Sequence, residues 1–197
     1  MIEFEIHTVD TAPEGSRERL SELAAARGSV GSMFGALAAS PAMLHGYLDL
    51  SARLMGGGAL SRADQTWVML TASREHGCRY CVPVYSRAAA QQGLDPETVR
   101  AIRSGEPVAD PRAAALSDLT AALVRHRGQV PEEAVQAFLD AGFGHAELFE
   151  VLGGIALKTI TNYLTQFATV PLDDGLVAYA WDAGSGSGGE APRGATP

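Results

Sequence analysis

Glu75-His76-Gly77-Cys78-Arg79-Tyr80-Cys81 contains both cysteines of this 197-residue chain. Two thiols three positions apart, behind a glycine, allow one thiolate to be attacked and then captured by its neighbour, which points to thiol redox chemistry. If a helix opens close to Cys78, then Cys78, Cys81 and Tyr85 fall at i, i+3 and i+7 on one face and can line one pocket. The free amides and partial positive charge of a helix N-terminus favour thiolate over thiol, and Arg79 adds a cation. A low-pKa thiol beside a second thiol suits peroxide reduction: one sulfur becomes sulfenic acid, the other condenses with it, and an external dithiol reduces the disulfide. The same pair also fits two inert core residues, or half of a zinc site with His76 as a third ligand; no second ligand pair is visible, so no metal or cofactor is expected. Pro83 is comfortable only in a first turn, so the helix either begins after Cys78 or is distorted there.

Outside the run, composition narrows the classes. With 46% hydrophobic and 19% charged residues, the chain reads as one ordinary globular domain with a sizeable core. A formal charge of -8, with Lys158 the only lysine, leaves no basic stripe for phosphates, so neither nucleic acid nor an anionic membrane is an expected partner. The N-terminus carries acids and shows no signal-peptide pattern, and no apolar run is long enough to span a bilayer. A cytoplasmic protein is expected. In that compartment a structural disulfide is unusual and a Cys-x-x-Cys pair is more plausibly reactive.

The periodicity predicts an all-α, single-domain helical bundle over residues 1–183. Ser16 to Arg27, Ser32 to Ala39 and Pro41 to Met55 read as helices, the first ended by Gly28 and the third by Gly56-Gly57-Gly58, a connector with no phosphate-loop context. Ser61 caps a helix to about Arg74 with Trp67, Val68, Leu70 and Thr71 on its apolar side. Asp95-Pro96-Glu97 and Asp110-Pro111 open two more helices, the second reaching about Arg127. Pro131-Glu132-Glu133 begins another that stops near Gly142, and Gly144 to Ala168 is a long apolar helix. The glycine- and serine-rich tail, 184–197, is expected to be disordered.

Leu60-Ser61-Arg62-Ala63-Asp64-Gln65, then Ser73 to Cys81, Ser86-Arg87-Ala88-Ala89-Ala90 and Gly93-Leu94 resemble the alkylhydroperoxidase D-like branch of the carboxymuconolactone decarboxylase family. Ala156 to Tyr163 and Pro171-Leu172-Asp173 are similar to the last helix and following segment of its small peroxidase-like members. The resemblance implies an all-helical homo-oligomer that reduces hydroperoxides at the expense of an external dithiol. It also implies that Cys81 is the peroxidatic thiol and Cys78 the resolving one. The family motif continues to a histidine four residues after the second cysteine, where this chain has Tyr85, and the relay acid twelve residues before the first cysteine is Thr66 here. A phenol is a poor base at neutral pH but can donate a hydrogen bond to a thiolate or peroxide oxygen.

His76, in the turn, and Glu75, through a bound water, are the candidates to replace the missing base. His45, His126 and His145 fit capping or surface positions. Lys158, Asn162 and Gln166 follow i, i+4, i+8 on the last helix, either as a solvated stripe or lining a pocket or subunit contact. The leading expectation is a thiol-dependent hydroperoxide reductase using Cys81, Cys78, Tyr85, His76 and Glu75. The alternatives are a lyase, isomerase or biosynthetic enzyme with Tyr85 as acid or hydrogen-bond donor, and a non-catalytic oligomeric redox sensor.

Overall fold

A computed structural model describes residues 4–183, so the expectation about the tail lies outside the described residues. Helices succeed one another as α1 Glu14–Arg27, α2 Ser32–Leu37, α3 Pro41–Gly57, α4 Arg62–Glu75, α5 Cys81–Gln91, α6 Pro96–Ser104, α7 Pro111–Arg125, α8 Glu132–Asp140 and α9 His145–Phe167. A 3-10 turn, Asp174–Tyr179, follows them. Among the described residues there is no strand, as the all-α reading requires, and no helix is long and apolar enough to cross a membrane.

Side-chain oxygens satisfy the otherwise orphaned amides where the sequence announces helix starts. Ser40, Ser61, Asp95 and Asp110 accept from the backbone N–H of Met43, Asp64, Thr98 and Ala113 at the openings of α3, α4, α6 and α7. Pro131 lies just outside α8 rather than in its first turn, and α7 ends two residues earlier than expected, at Arg125.

The main departure from the expected amphipathic pattern is α4. Every residue from Asp64 to Ser73 is buried, because α4 packs against α5, α6, α7 and α9 and has no solvent face along that stretch. Trp67, Val68 and Leu70 belong to a core shared with α7 and α8, whereas Met69 joins a second core with the cysteines, α2 and α3. The polar residues on α4 therefore need internal partners. Thr66, standing where the family places an acid, donates to the Arg62 carbonyl and accepts from Gln92, the residue just after α5.

Two glycines set the spacing of α9. A Cβ at Gly154 would lie 2.8 Å from Val68, so this residue lets α9 approach α4 closely. At Gly58 a Cβ would meet the Glu150 carboxylate at 2.5–2.8 Å. That carboxylate accepts from the Ala59 and Leu60 amides, tying the glycine connector to α9.

The segment after α9 is also anchored. Asp173 accepts from the Ser32 amide and hydroxyl and from the Tyr80 hydroxyl, the last at 2.6 Å. Beyond the 3-10 turn, Arg103 donates to the Tyr179 and Ala180 carbonyls, and the Trp181 indole donates back to the Arg103 carbonyl. These contacts close one side of the Cys78 neighbourhood.

Candidate active site

The turn that delivers the thiols is built by Gly77. Its φ of 66° is the left-handed conformation in which a Cβ is strained. Gly77 donates to the Arg74 carbonyl and Cys78 to the Ser73 carbonyl, the paired bonds of a Schellman end to α4. Cys78 therefore emerges directly from the helix end, and α5 begins three residues later at Cys81. Pro83 is then the third residue of α5, where no intrahelical donor is missed. The helix thus begins after Cys78, and the distorted-helix alternative does not arise.

Both thiols are free and buried, Cys78 at 0% and Cys81 at 2% exposure. Cys78 Sγ receives the Cys81 amide at 3.2 Å and lies 3.2 Å from the Thr165 hydroxyl. The hydrogen bond from the Cys81 thiol leads in lowering the Cys78 pKa to about 6, and it outweighs burial with help from Thr165 and the Cys81 and Tyr80 amides. Cys81 moves the other way: donating to Cys78 and sitting in a dry site hold it well above an ordinary thiol. The hydrogen bonds on the two sulfurs thus favour thiolate at Cys78 and thiol at Cys81. This is the reverse of the assignment implied by the resemblance.

Residues of α9 face the run in antiparallel register. Thr165 meets Cys78, Thr161 Oγ1 lies 3.9 Å from Cys81 Sγ, and the Lys158 ammonium sits 4.5 Å from the centre of the Tyr85 ring. Thr161, Thr165 and Tyr47, which joins this cluster from α3, were not among the sequence candidates. The signal for the two threonines would have been hydroxyls on the same α9 face as Lys158 and Asn162, whereas nothing in α3 marks Tyr47. Lys158 and Asn162 are buried, at 1% and 0% exposure, so the solvated-stripe alternative holds only for exposed Gln166.

His76 and Glu75 sit beside the turn with partners of their own. The Asn162 amide donates to His76 Nδ1 at 2.9 Å, and Gln166 donates to the His76 carbonyl. Burial lowers the His76 pKa, so at neutral pH the ring is neutral and carries its proton on Nε2. Glu75 receives two Arg125 hydrogen bonds, at 2.6 and 2.8 Å, and lies 2.6 Å from Arg74. The partners of its carboxylate are guanidinium groups rather than sulfurs.

A cavity of about 510 Å³ opens beside Cys78. Its wall includes Gly77, Arg79, Tyr80, Thr165, Leu172 and Trp181, that is, both sequence neighbours of Cys78 and its hydroxyl partner. Cys78 itself, at 0% exposure, lies behind this wall and does not line the cavity. Among the described residues no group of three or more His, Cys, Asp or Glu side chains is placed to hold a metal.

An all-helical scaffold presenting a reduced, unequally ionised Cys-x-x-Cys pair at a helix start defines a dithiol protein of the alkylhydroperoxidase D-like fold. Residues 41–122, from the start of α3 into α7, match the model of the carboxymuconolactone decarboxylase family. No curated protein matches the sequence. Among solved structures, an alkylhydroperoxidase AhpD core, described as an uncharacterized peroxidase-related protein from Ralstonia eutropha JMP134, superposes with a TM-score of 0.78. It is 19% identical and covers 88% of this chain and 93% of its own. A peroxidase-related protein from Silicibacter sp. TM1040 gives 0.74 at 18% identity, over 89% and 97% of the two chains. A variant of the debrominase Bmp8 in complex with 2,3,4-tribromopyrrole gives 0.74 at 11% identity, over 90% and 95%.

Proposed function

We propose that the protein is a dithiol oxidoreductase that reduces organic or hydrogen peroxides, with Cys78 as the attacking thiolate and Cys81 as the resolving thiol. The observation that carries this reading is the Cys78 sulfur held at the start of α5 by the Cys81 amide and the Thr165 hydroxyl, beside an open cavity. Attack of Cys78 Sγ on a peroxide oxygen breaks the O–O bond. The sulfur becomes sulfenic acid, and the departing alkoxide takes one proton and leaves as alcohol, or as water from hydrogen peroxide. Cys81 Sγ then displaces hydroxide from the Cys78 sulfur, the hydroxide leaves as water with the proton Cys81 gives up, and an S–S bond forms. An external dithiol reduces it by exchange through a mixed disulfide.

Purified protein supplied with a hydroperoxide and a small dithiol tests this. Wild type is expected to consume peroxide, Cys78→Ser to lose turnover, and Cys81→Ser to stop after one equivalent. Full turnover by Cys78→Ser would sink the assignment.

The cavity favours a second reading. Tyr80, Leu172 and Trp181 give it more volume and apolar wall than a small peroxide needs, so the same thiolate can serve a bulky organic electrophile. That reading predicts single-turnover disulfide formation faster with an aromatic hydroperoxide or halide than with hydrogen peroxide. Self-association fits either reading: Phe149, Leu152, Tyr163 and Phe167 form an exposed apolar row on α9. A cytoplasmic setting would supply the dithiol reductant.

A further inference from the structure

The chain has fourteen arginines and a single lysine, and that lysine is the cation buried in the core. Taking an ammonium out of water costs several kcal/mol unless something compensates it. The usual compensation is a carboxylate. Among the described residues, none lies within ion-pair distance of Lys158.

What surrounds Lys158 is a set of weak acids and one aromatic face. Tyr85 from α5 puts its ring 4.5 Å from the ammonium, whose charge the electron-rich face attracts. Tyr47, buried at 6% exposure, comes from α3 and shares the electrostatic field of both Lys158 and Cys81. Cys81 itself is the third acid within that field. His76, at the end of α4, also feels the lysine and is neutral at neutral pH. Tyr80, the remaining acid near Cys81, is tied to Asp173. Tyr47, Cys81 and His76 therefore face the ammonium in their uncharged forms.

We propose that Lys158 is the charge partner of Cys81, a fixed cation, positioned by Tyr85 and Tyr47, that stabilises the Cys81 thiolate when the resolving step requires it. The inference rests on the two-thiol reading above and deepens it. In the resting pair the Cys78 thiolate takes the hydrogen bond of the Cys81 thiol and keeps Cys81 protonated. Oxidation of Cys78 to sulfenic acid removes that charge and that bond. The opposing influences on Cys81 are then burial, which favours thiol, and Lys158, which favours thiolate. The ordering is built in, because the second sulfur is activated only after the first has reacted. Tyr85 at the family's histidine position then has a physical sense: it holds the ammonium with its ring and does not itself remove a proton. A positive charge replaces the missing base.

The test uses the full chain carrying Cys78→Ser, which leaves Cys81 as the only thiol, and follows thiolate absorbance against pH with Lys158 present or replaced. Lys158→Met is expected to raise the Cys81 midpoint by about one unit or more, a tenfold smaller thiolate fraction at a given pH. Lys158→Gln, a second neutral replacement, covers the case in which the methionine variant does not fold, judged by circular dichroism. An unchanged or lowered midpoint in a folded neutral variant overturns the proposal. Because the titration needs no substrate, a protein without peroxide turnover but with the expected shift would refute the peroxidase reading and support the charge-partner role.

Discussion

Cys78 and Cys81 are the same residue type, three positions apart and equally buried, yet they titrate in opposite directions. Cys78 stands outside α5, where an amide, a hydroxyl and the neighbouring thiol point at its sulfur. Cys81 stands inside the first turn, where its own amide is given to Cys78 and its sulfur faces Thr161 at 3.9 Å and the buried lysine cluster. The placement of α5's first residue therefore decides which sulfur receives the amide and the hydroxyl.

The sharpest way to break this comparison is to let the two sulfurs of the intact pair compete for one reagent. At pH 7 a thiol titrating at about 6 is some nine-tenths ionised, whereas one held well above the ordinary value stays protonated. In the wild-type protein at pH 7, iodoacetamide is therefore expected to modify Cys78 well before Cys81, as read by peptide mapping. Equal rates, or the reverse order, would restore the assignment in which Cys81 attacks.

A smaller effect is expected at the hydroxyl. Thr165→Val removes one hydrogen bond of about 1 kcal/mol to the Cys78 thiolate, so the alkylation midpoint should rise from about 6 by roughly half to one unit. The same depression has a consequence for folding. Because the folded value lies below the unfolded one, the ionised thiol stabilises the fold fully above the ordinary thiol range, and that contribution disappears as pH falls through about 6. The stability gap between wild type and Cys78→Ser in denaturant titrations should therefore shrink from pH 9 to pH 5. A gap independent of pH would show that no thiolate is favoured by folding.

Local chemistry is why so much of this was legible in the sequence. Asp95-Pro96 and Asp110-Pro111 specify helix starts through a side-chain acceptor and a fixed φ, and α6 and α7 begin there. Gly77 marked the turn, and Cys-x-x-Cys marked the site. The illegible part depended on neighbours distant in sequence. Nothing near Lys158 announces that an α3 tyrosine and an α5 ring enclose it, and nothing in α4 announces that four helices cover it. Asp173 joining Ser32 to Tyr80 spans more than a hundred residues, beyond any periodic pattern. The identity of the ionised thiol was hidden for the same reason. It depends on whether α5 begins at Cys78 or at Cys81, a difference within the usual uncertainty of a helix boundary read from sequence.

The turn and the histidine give the smallest effects and still discriminate. Gly77→Ala places a Cβ in a left-handed conformation and is expected to cost about 1 kcal/mol in stability, with any fall in thiol reactivity tracking displacement of Cys78 from the α5 amide. His76→Gln removes an imidazole whose Nδ1 is already occupied by Asn162 and whose ring is neutral. If Cys78 is ionised by its hydrogen bonds alone, alkylation at pH 7 should change by less than about threefold, since the thiolate is already the major form. A loss of tenfold or more would make His76 the base that the sequence lacks at position 85, and would move the origin of reactivity from the start of α5 to the end of α4.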